Sequence, residues 1–295
     1  MTTPQTVIDY LNSLNENAEM IYIYYKSLTI TILPDLFRFK NLKILICSFD
    51  KIVNLDNIPV RLEILDCNNN QITKISQLPK SLKELNCSSN KIKELNLPEG
   101  LEILDCAYNQ IIKLENLPEG LQELNCKNNK IKKLDKIPKS LKELDCSSNK
   151  IKELNHLQEG LEILNCAYNQ IIKLDKLPKG LVSLDCSNNQ IIILENLPKG
   201  LKYLDCENNQ IEKFNIPNSL SILICKNNKI KELDNIPKKL AILDCSYNLL
   251  PSVDRNILKE IDINRRRDKL VMFIVGTKSK FSFDILSEIG KYVLT

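Results

Sequence analysis

Apolar residues recur along this chain with a period of about twenty, in the form L-x-x-L-x-C-x-x-N-x-I-x-x-L-x-x-L-P-x-x. Leu121, Leu124, Cys126, Asn129, Ile131, Leu134, Ile137 and Pro138 form one such unit. Inside each unit the L-x-x-L-x-C stretch alternates, so that Leu164 and Cys166 point inward while Ile163 and Asn165 point outward, which is the period of a strand. A unit this small cannot bury its apolar face alone, so the repetition predicts a coil whose stacked turns share one core. Stacked strands predict a parallel sheet along one side. The asparagine three residues after each Cys predicts a turn, where a buried amide satisfies backbone groups that the curved ladder leaves unpaired. Leu-Pro on the far side predicts an extended or turning return, too short for a full helix.

Eleven units run from Leu42 to Val253, and a degenerate leading turn occupies about Ile21 to Asn41. Ten units keep the asparagine, and the first has Asp50 instead. Two units are one residue short, Leu82 to Gly100 and Leu201 to Ser219, and both lose it on the return side, where a loop absorbs the loss without shifting strand register. Stacked cores need capped ends. Thr3 and Pro4 open a helix whose Val7, Ile8, Leu11 and Leu14 share a face suited to covering the first turn. Past the array, Ile257, Leu258 and Ile261, then Leu270 to Val275, read as a cap of helix and strand, and 281–294 as an amphipathic helix. The predicted organisation is 1–41 as N-terminal cap helix and first turn, 42–253 as eleven repeats, and 254–295 as C-terminal cap.

These residues resemble the leucine-rich repeat family, in its short class with Leu-Pro ahead of the next strand. Similar units occur in bacterial effectors and in proteins of large DNA viruses that infect amoebae. The resemblance implies an α/β-type repeat solenoid: a right-handed coil with a parallel concave sheet, a mostly β and irregular convex side, and short terminal caps. It implies a non-catalytic protein-interaction scaffold. Bacterial relatives can carry a large ubiquitin-ligase domain with a catalytic Cys. Here no Cys follows the array, so that activity does not carry over. Residues 281–294 also faintly resemble the opening helix of an F-box, which leaves an adaptor delivering a bound target to ubiquitin machinery as the alternative.

All eleven cysteines occupy the same position of the repeat, from Cys47 to Cys245. Parallel side chains on strands about 4.8 Å apart meet a disulfide's geometry badly, so the thiols read as reduced core residues. No C-x-x-C pair exists and His156, the only histidine, lies far from any Cys, so no metal site and no cofactor is expected. The first fifteen residues lack the form of a secretory signal and no apolar run reaches membrane-spanning length, which favours a cytoplasmic address, host cytoplasm for a viral chain, and no membrane partner. Single scattered glycines and one His offer nothing for acid–base, nucleophilic or phosphate chemistry, so the chain is not expected to be an enzyme. Arg265, Arg266, Arg267 and Lys269 lack interleaved aromatics and read as a solvated cap face rather than a nucleic-acid contact.

Chemistry remains on the outward strand positions. The residue before each Cys forms a file of acids and amides, with Asp66, Asp105, Asp145, Asp185, Asp205 and Asp244 among them. Two residues earlier stand Glu84, Glu123 and Glu143 with Ile103, Ile163 and Tyr203. The two files hold nine acids and no base in a chain of net charge +4. Tyr108 and Tyr168, beside the strands, add aromatic anchors. This pattern predicts a face that binds a protein partner with a basic segment. Oligomeric state is left open. Units 80–95 and 139–154 are near-duplicates, as are 102–114 and 162–174, and such copying lengthens a surface rather than building a unique pocket.

Overall fold

A computed structural model of the chain describes residues 5–23, 30–56, 58–75 and 77–250. One helix, α1 (Gln5–Ser13), leads into a parallel sheet of twelve three-residue strands. They are β1 (Met20–Tyr22), β2 (Ile44–Ile46), β3 (Ile64–Asp66), β4 (Glu84–Asn86), β5 (Ile103–Asp105), β6 (Glu123–Asn125), β7 (Glu143–Asp145), β8 (Ile163–Asn165), β10 (Ser183–Asp185), β12 (Tyr203–Asp205), β13 (Ile222–Ile224) and β14 (Ile242–Asp244). Each strand pairs with those of the turns before and after it, so sequence order is spatial order. On the opposite side two residues each of β9 (Lys173–Leu174) and β11 (Ile193–Leu194) pair, and the rest of the return is irregular. The predicted solenoid, mostly β with little helix, is the fold observed.

The alternation read from the sequence sets the packing. In each repeat strand the middle leucine is buried, and the following Cys is buried behind it in every unit but the last, where Cys245 is half-buried; the flanking residues face the other side of the sheet. Leu121, Leu124, Cys126, Ile131 and Leu134 of one turn lie under the same positions of the next, and one continuous core runs from Val7 to Leu243. Burying each Leu or Ile stabilises by roughly 1.5–3 kcal/mol, and every layer depends on its neighbours for that burial. The eleven thiols are unbonded to one another. Burial pushes Cys67, Cys126 and Cys206 far above the usual thiol range, with neighbouring thiols adding to it, so they behave as apolar core atoms.

The asparagines hold the turns as expected, by a mechanism that ties each unit to the one before it. Asn129 Oδ1 accepts from the Ile111 amide at 2.9 Å, while Nδ2 donates to the carbonyls of Cys106 at 3.0 Å and Cys126 at 3.1 Å. The same bonds recur from Asn70 to Asn248. A second device closes the return side. The Pro118 carbonyl accepts from the Leu121 amide at 3.1 Å, and the equivalent bond recurs along the array. In some units the residue just before the equivalent leucine is pressed against the preceding turn: a Cβ on Gly160 would sit 3.1 Å from the Lys139 carbonyl oxygen, whereas Gly120 and Gly200 have open space there. Glycine or serine fills this site in most units, and Ser140 Oγ donates to the carbonyls of Glu119 and Leu121, both at 2.6 Å. Both short units keep register, with Glu84 opposite Ile103 and Tyr203 opposite Ile222.

At the N-terminal end Val7 and Leu11 of α1 are buried in the first layer and Leu14 packs against it, but Ile8 is 37% exposed. The predicted four-residue face is therefore narrower, because Tyr10 rather than Ile8 adjoins the core. Arg38 fixes the end of the helix by donating to Asn12 Oδ1 at 3.0 Å and to the Leu11 carbonyl. Thr3 and Pro4, the C-terminal cap, the amphipathic segment at 281–294 and the basic cluster at 265–269 lie outside the described residues.

Candidate functional site

The outward residues of the twelve strands make two files on one face. Glu84 and Glu123 are exposed, and Glu143, Ile103, Ile163 and Tyr203 are half-buried. In the second file Asp66, Asp105, Asp185 and Asp205 are half-buried, Asp244 also, and Asp145 is only 2% exposed. The structure therefore brings the nine predicted acids together with the three predicted apolar residues on one sheet face. Tyr108 and Tyr168 stand apart from them, on the turn beyond the strands, both exposed and with φ of 53°. They line a rim rather than the sheet itself. That turn position takes a left-handed conformation in every unit from Phe49 to Tyr247. Such a conformation costs a bulky side chain about 1 kcal/mol or more, and the Lys127 ammonium lies 5.7 Å from the centre of the Tyr108 ring. The five rim lysines, Lys51, Lys91, Lys130, Lys150 and Lys229, are exposed next to the asparagine turn.

The aspartate file has a structural task that pattern reading missed. Asp145 Oδ1 accepts from the Ser147 amide at 2.9 Å and from its hydroxyl at 2.6 Å. Asp66, Asp105, Asp185, Asp205 and Asp244 accept likewise from the amide two residues on. So do the amide oxygens of Asn86, Asn125 and Asn165. The strand ends at the Cys, whose own N–H reaches the next strand, as Cys126 does to Asp145. The following N–H has no ladder partner, and the side chain two residues back fills the gap. Aspartate and asparagine share the one oxygen this turn needs. Their free interchange in the sequence, where Glu and Gln never take the site, is the signal that could have revealed it.

Half of each carboxylate is thus committed, and the second oxygen remains for the face. Asn125, which stands between two acids, bonds one of them: its Nδ2 donates to Asp105 Oδ2 at 3.2 Å. Burial raises the carboxyls of Asp105 and Asp145, and Lys127 and the hydrogen bonds oppose that rise. Asp185 and Asp205 lack an amide between them. Burial first and neighbouring acids second push Asp185 up to about 6 and Asp205 up to about 8. Tyr203, beside them, is raised by burial and by the Asp205 carboxylate. Glu143 is raised by burial, then by Glu123 and Glu162. Repulsion between neighbouring acids thus adds to the rise, second to desolvation.

Parallel carboxylates do not converge. Among the described residues no three His, Cys, Asp or Glu side chains could hold a metal ion together. His156 is exposed on the return side. The arrangement offers a ribbed acidic surface, with fixed backbone dipoles and apolar islands, and brings no nucleophile to a base.

Fold and repeat together are those of a leucine-rich-repeat coil. The family model described as "Leucine Rich repeats (2 copies)" matches residues 60–99. Among solved structures, the chain is similar to YopM from Yersinia enterocolitica, at 29% identity and a TM-score of 0.72, covering 82% of this chain and 59% of that one. It is similar to the functional domain of InlJ from Listeria monocytogenes, which includes a cysteine ladder, at 30% identity and a TM-score of 0.74, covering 81% and 56%. YopM from Yersinia pestis, a leucine-rich effector protein, matches at 29% identity and 0.68, with 79% of each chain covered. The chain thus spans less than two thirds of the length of the first two. A comparison with curated protein sequences finds no match.

Proposed function

We propose that this chain is a non-catalytic interaction scaffold that grips a basic segment of a protein partner on its acidic concave face, in the cytoplasm. Interaction is the use to which the leucine-rich-repeat fold and the effector-like neighbours point. The observation that carries the finer reading is the segregation of charge: nine acids and no base on the outward strand positions of a chain whose net charge is +4. Such a surface steers a cationic partner and sets its register. The half-buried isoleucines supply apolar contact between the acids. The reduced thiol column supports a reducing address.

The test must respect the turns that the aspartates hold. Lysine at these sites would remove the oxygen that fills the turn amide, so a loss of binding would be confounded with a loss of fold. Asparagine keeps that oxygen. A variant carrying Asp66→Asn, Asp105→Asn, Asp185→Asn, Glu84→Gln, Glu123→Gln and Glu143→Gln should fold as the parent does. Partners recovered with the parent chain from cell extract at low salt should be lost with this variant and weakened by salt. An unchanged set of partners would sink the concave-face reading.

A further inference from the structure

Along the first outward file, β5 to β8 present Ile103, Glu123, Glu143 and Ile163 in that order, each a register partner of the next. The two isoleucines come from the duplicated units and lie three strands apart, about 14 Å at the usual strand spacing of about 4.8 Å. Both are half-buried. Between them Glu123 is exposed and Glu143 half-buried, and among the described residues neither enters an ion pair. The rim repeats the same period, with Tyr108 and Tyr168 on the turns of the same two units.

We propose that this four-strand tract is a subsite for an extended segment of the form Φ-x-Lys/Arg-x-Φ, where Φ is a large apolar residue, lying across the strands. The idea rests on the concave-face reading and specifies its ligand. An extended chain advances about 3.3–3.4 Å per residue and alternates its side chains, so residues four apart point the same way and stand about 13–14 Å apart. That matches the separation of Ile103 and Ile163. The residue midway falls between Glu123 and Glu143, where one cation meets two carboxylates. A helical partner fits badly, because about 14 Å spans nine to ten residues at 1.5 Å each, which returns the opposite side of the helix. Burial first, then Glu123 and Glu162, raise Glu143, and a cation placed there offsets the carboxylate repulsion.

The experiment uses the full chain and fluorescently labelled peptides of identical composition. One carries Leu-Thr-Lys-Thr-Leu, a second carries Leu-Lys-Thr-Leu-Thr, and a Ser/Gly peptide serves as control. The first should bind at least tenfold more tightly than the second. Ile103→Ser and Ile163→Ser should each weaken it by a similar factor, and Glu123→Gln with Glu143→Gln by about tenfold, with thermal melts checking that each variant is folded. Equal binding of both spacings, lost only in the acid-neutralised variants, overturns the proposed segment and leaves the concave face as the binding surface. Binding no better than the control also overturns it, and partner recovery with the neutralised chain then decides the broader reading separately.

Discussion

Asp185 and Asp205 are register partners on neighbouring strands, the only place in their file where two carboxylates stand side by side without an asparagine or isoleucine between them. Elsewhere an amide stands between acids, as Asn125 does beside Asp105. Both carboxyls are raised above their ordinary range, to about 6 and about 8. A raised acid binds its proton more tightly when folded. Its stabilising contribution is therefore complete below about pH 4 and is lost as pH rises through 6 to 8. Asp205→Asn restores the alternation and keeps an oxygen for the Glu207 amide. It should stabilise the chain by on the order of 2 kcal/mol at pH 8, with the gain shrinking toward zero near pH 4. Urea unfolding across that range measures it, and a gain that does not change with pH counts against a raised Asp205 carboxyl.

At Asp145 the charge and the turn can be separated. Its carboxylate is buried and serves both the amide and the hydroxyl of Ser147. Asp145→Ala leaves both donors without that acceptor and should cost about 1–3 kcal/mol. Asp145→Asn retains an acceptor and should cost much less, or nothing, because it removes a desolvated charge. Thermal melts of the two variants compare them directly. Equal losses would mean that the negative charge, and not the oxygen, is what the site needs.

These contrasts show where pattern reading succeeds. A leucine followed two residues later by a Cys, eleven times over, leaves one way to bury both, so the coil, the sheet and the inward thiols were legible from period alone. The asparagine turn was legible too, since Asn129 has no other reason to recur amid apolar residues. The dual nature of the aspartates was not. Whether an outward Asp faces solvent with both oxygens or folds one back to its own backbone depends on a torsion that periodicity does not carry. The glycine or serine before most units was missed for a similar reason: the approach of the Lys139 carbonyl to Gly160 is a contact between turns, not within one. The helix face failed at Ile8, where a short helix of nine residues crosses the end of the coil at an angle that the pattern alone does not fix.

Asp50 occupies the asparagine position of the first unit and does half the work. Its Oδ1 accepts from the Ile30 amide at 3.3 Å, as asparagine would, but Oδ2 is buried with no hydrogen-bond partner among the described residues. Burial raises its carboxyl for that reason. Asparagine would put a donor where the carboxylate has a second acceptor, within reach of the kind of bond that Asn70 makes to the Cys47 carbonyl at 2.8 Å. Asp50→Asn should therefore stabilise the N-terminal turns by about 1 kcal/mol, more at pH 7 than at pH 4, as the sign of a raised acid requires. Amide hydrogen exchange at Ile52 and Leu55 should slow. Faster exchange there would mean that the carboxylate has a partner that asparagine cannot replace.

Asn129 offers the converse experiment at the centre of the array. It joins its own turn to the preceding one, through the Ile111 amide and the Cys106 and Cys126 carbonyls, and it is buried. Asn129→Ala strands one donor and leaves two carbonyls short of a partner, and should cost about 2–4 kcal/mol. In a solenoid each turn is stabilised only by its neighbours, so the damage need not spread evenly. Hydrogen exchange should rise most in the turns from Leu101 to Leu144 and least near Leu204, giving an array that opens in the middle while its ends hold. Uniform acceleration along the chain would instead show that the twelve-stranded sheet unfolds as one unit, and that the nearest-neighbour picture of its stability is wrong.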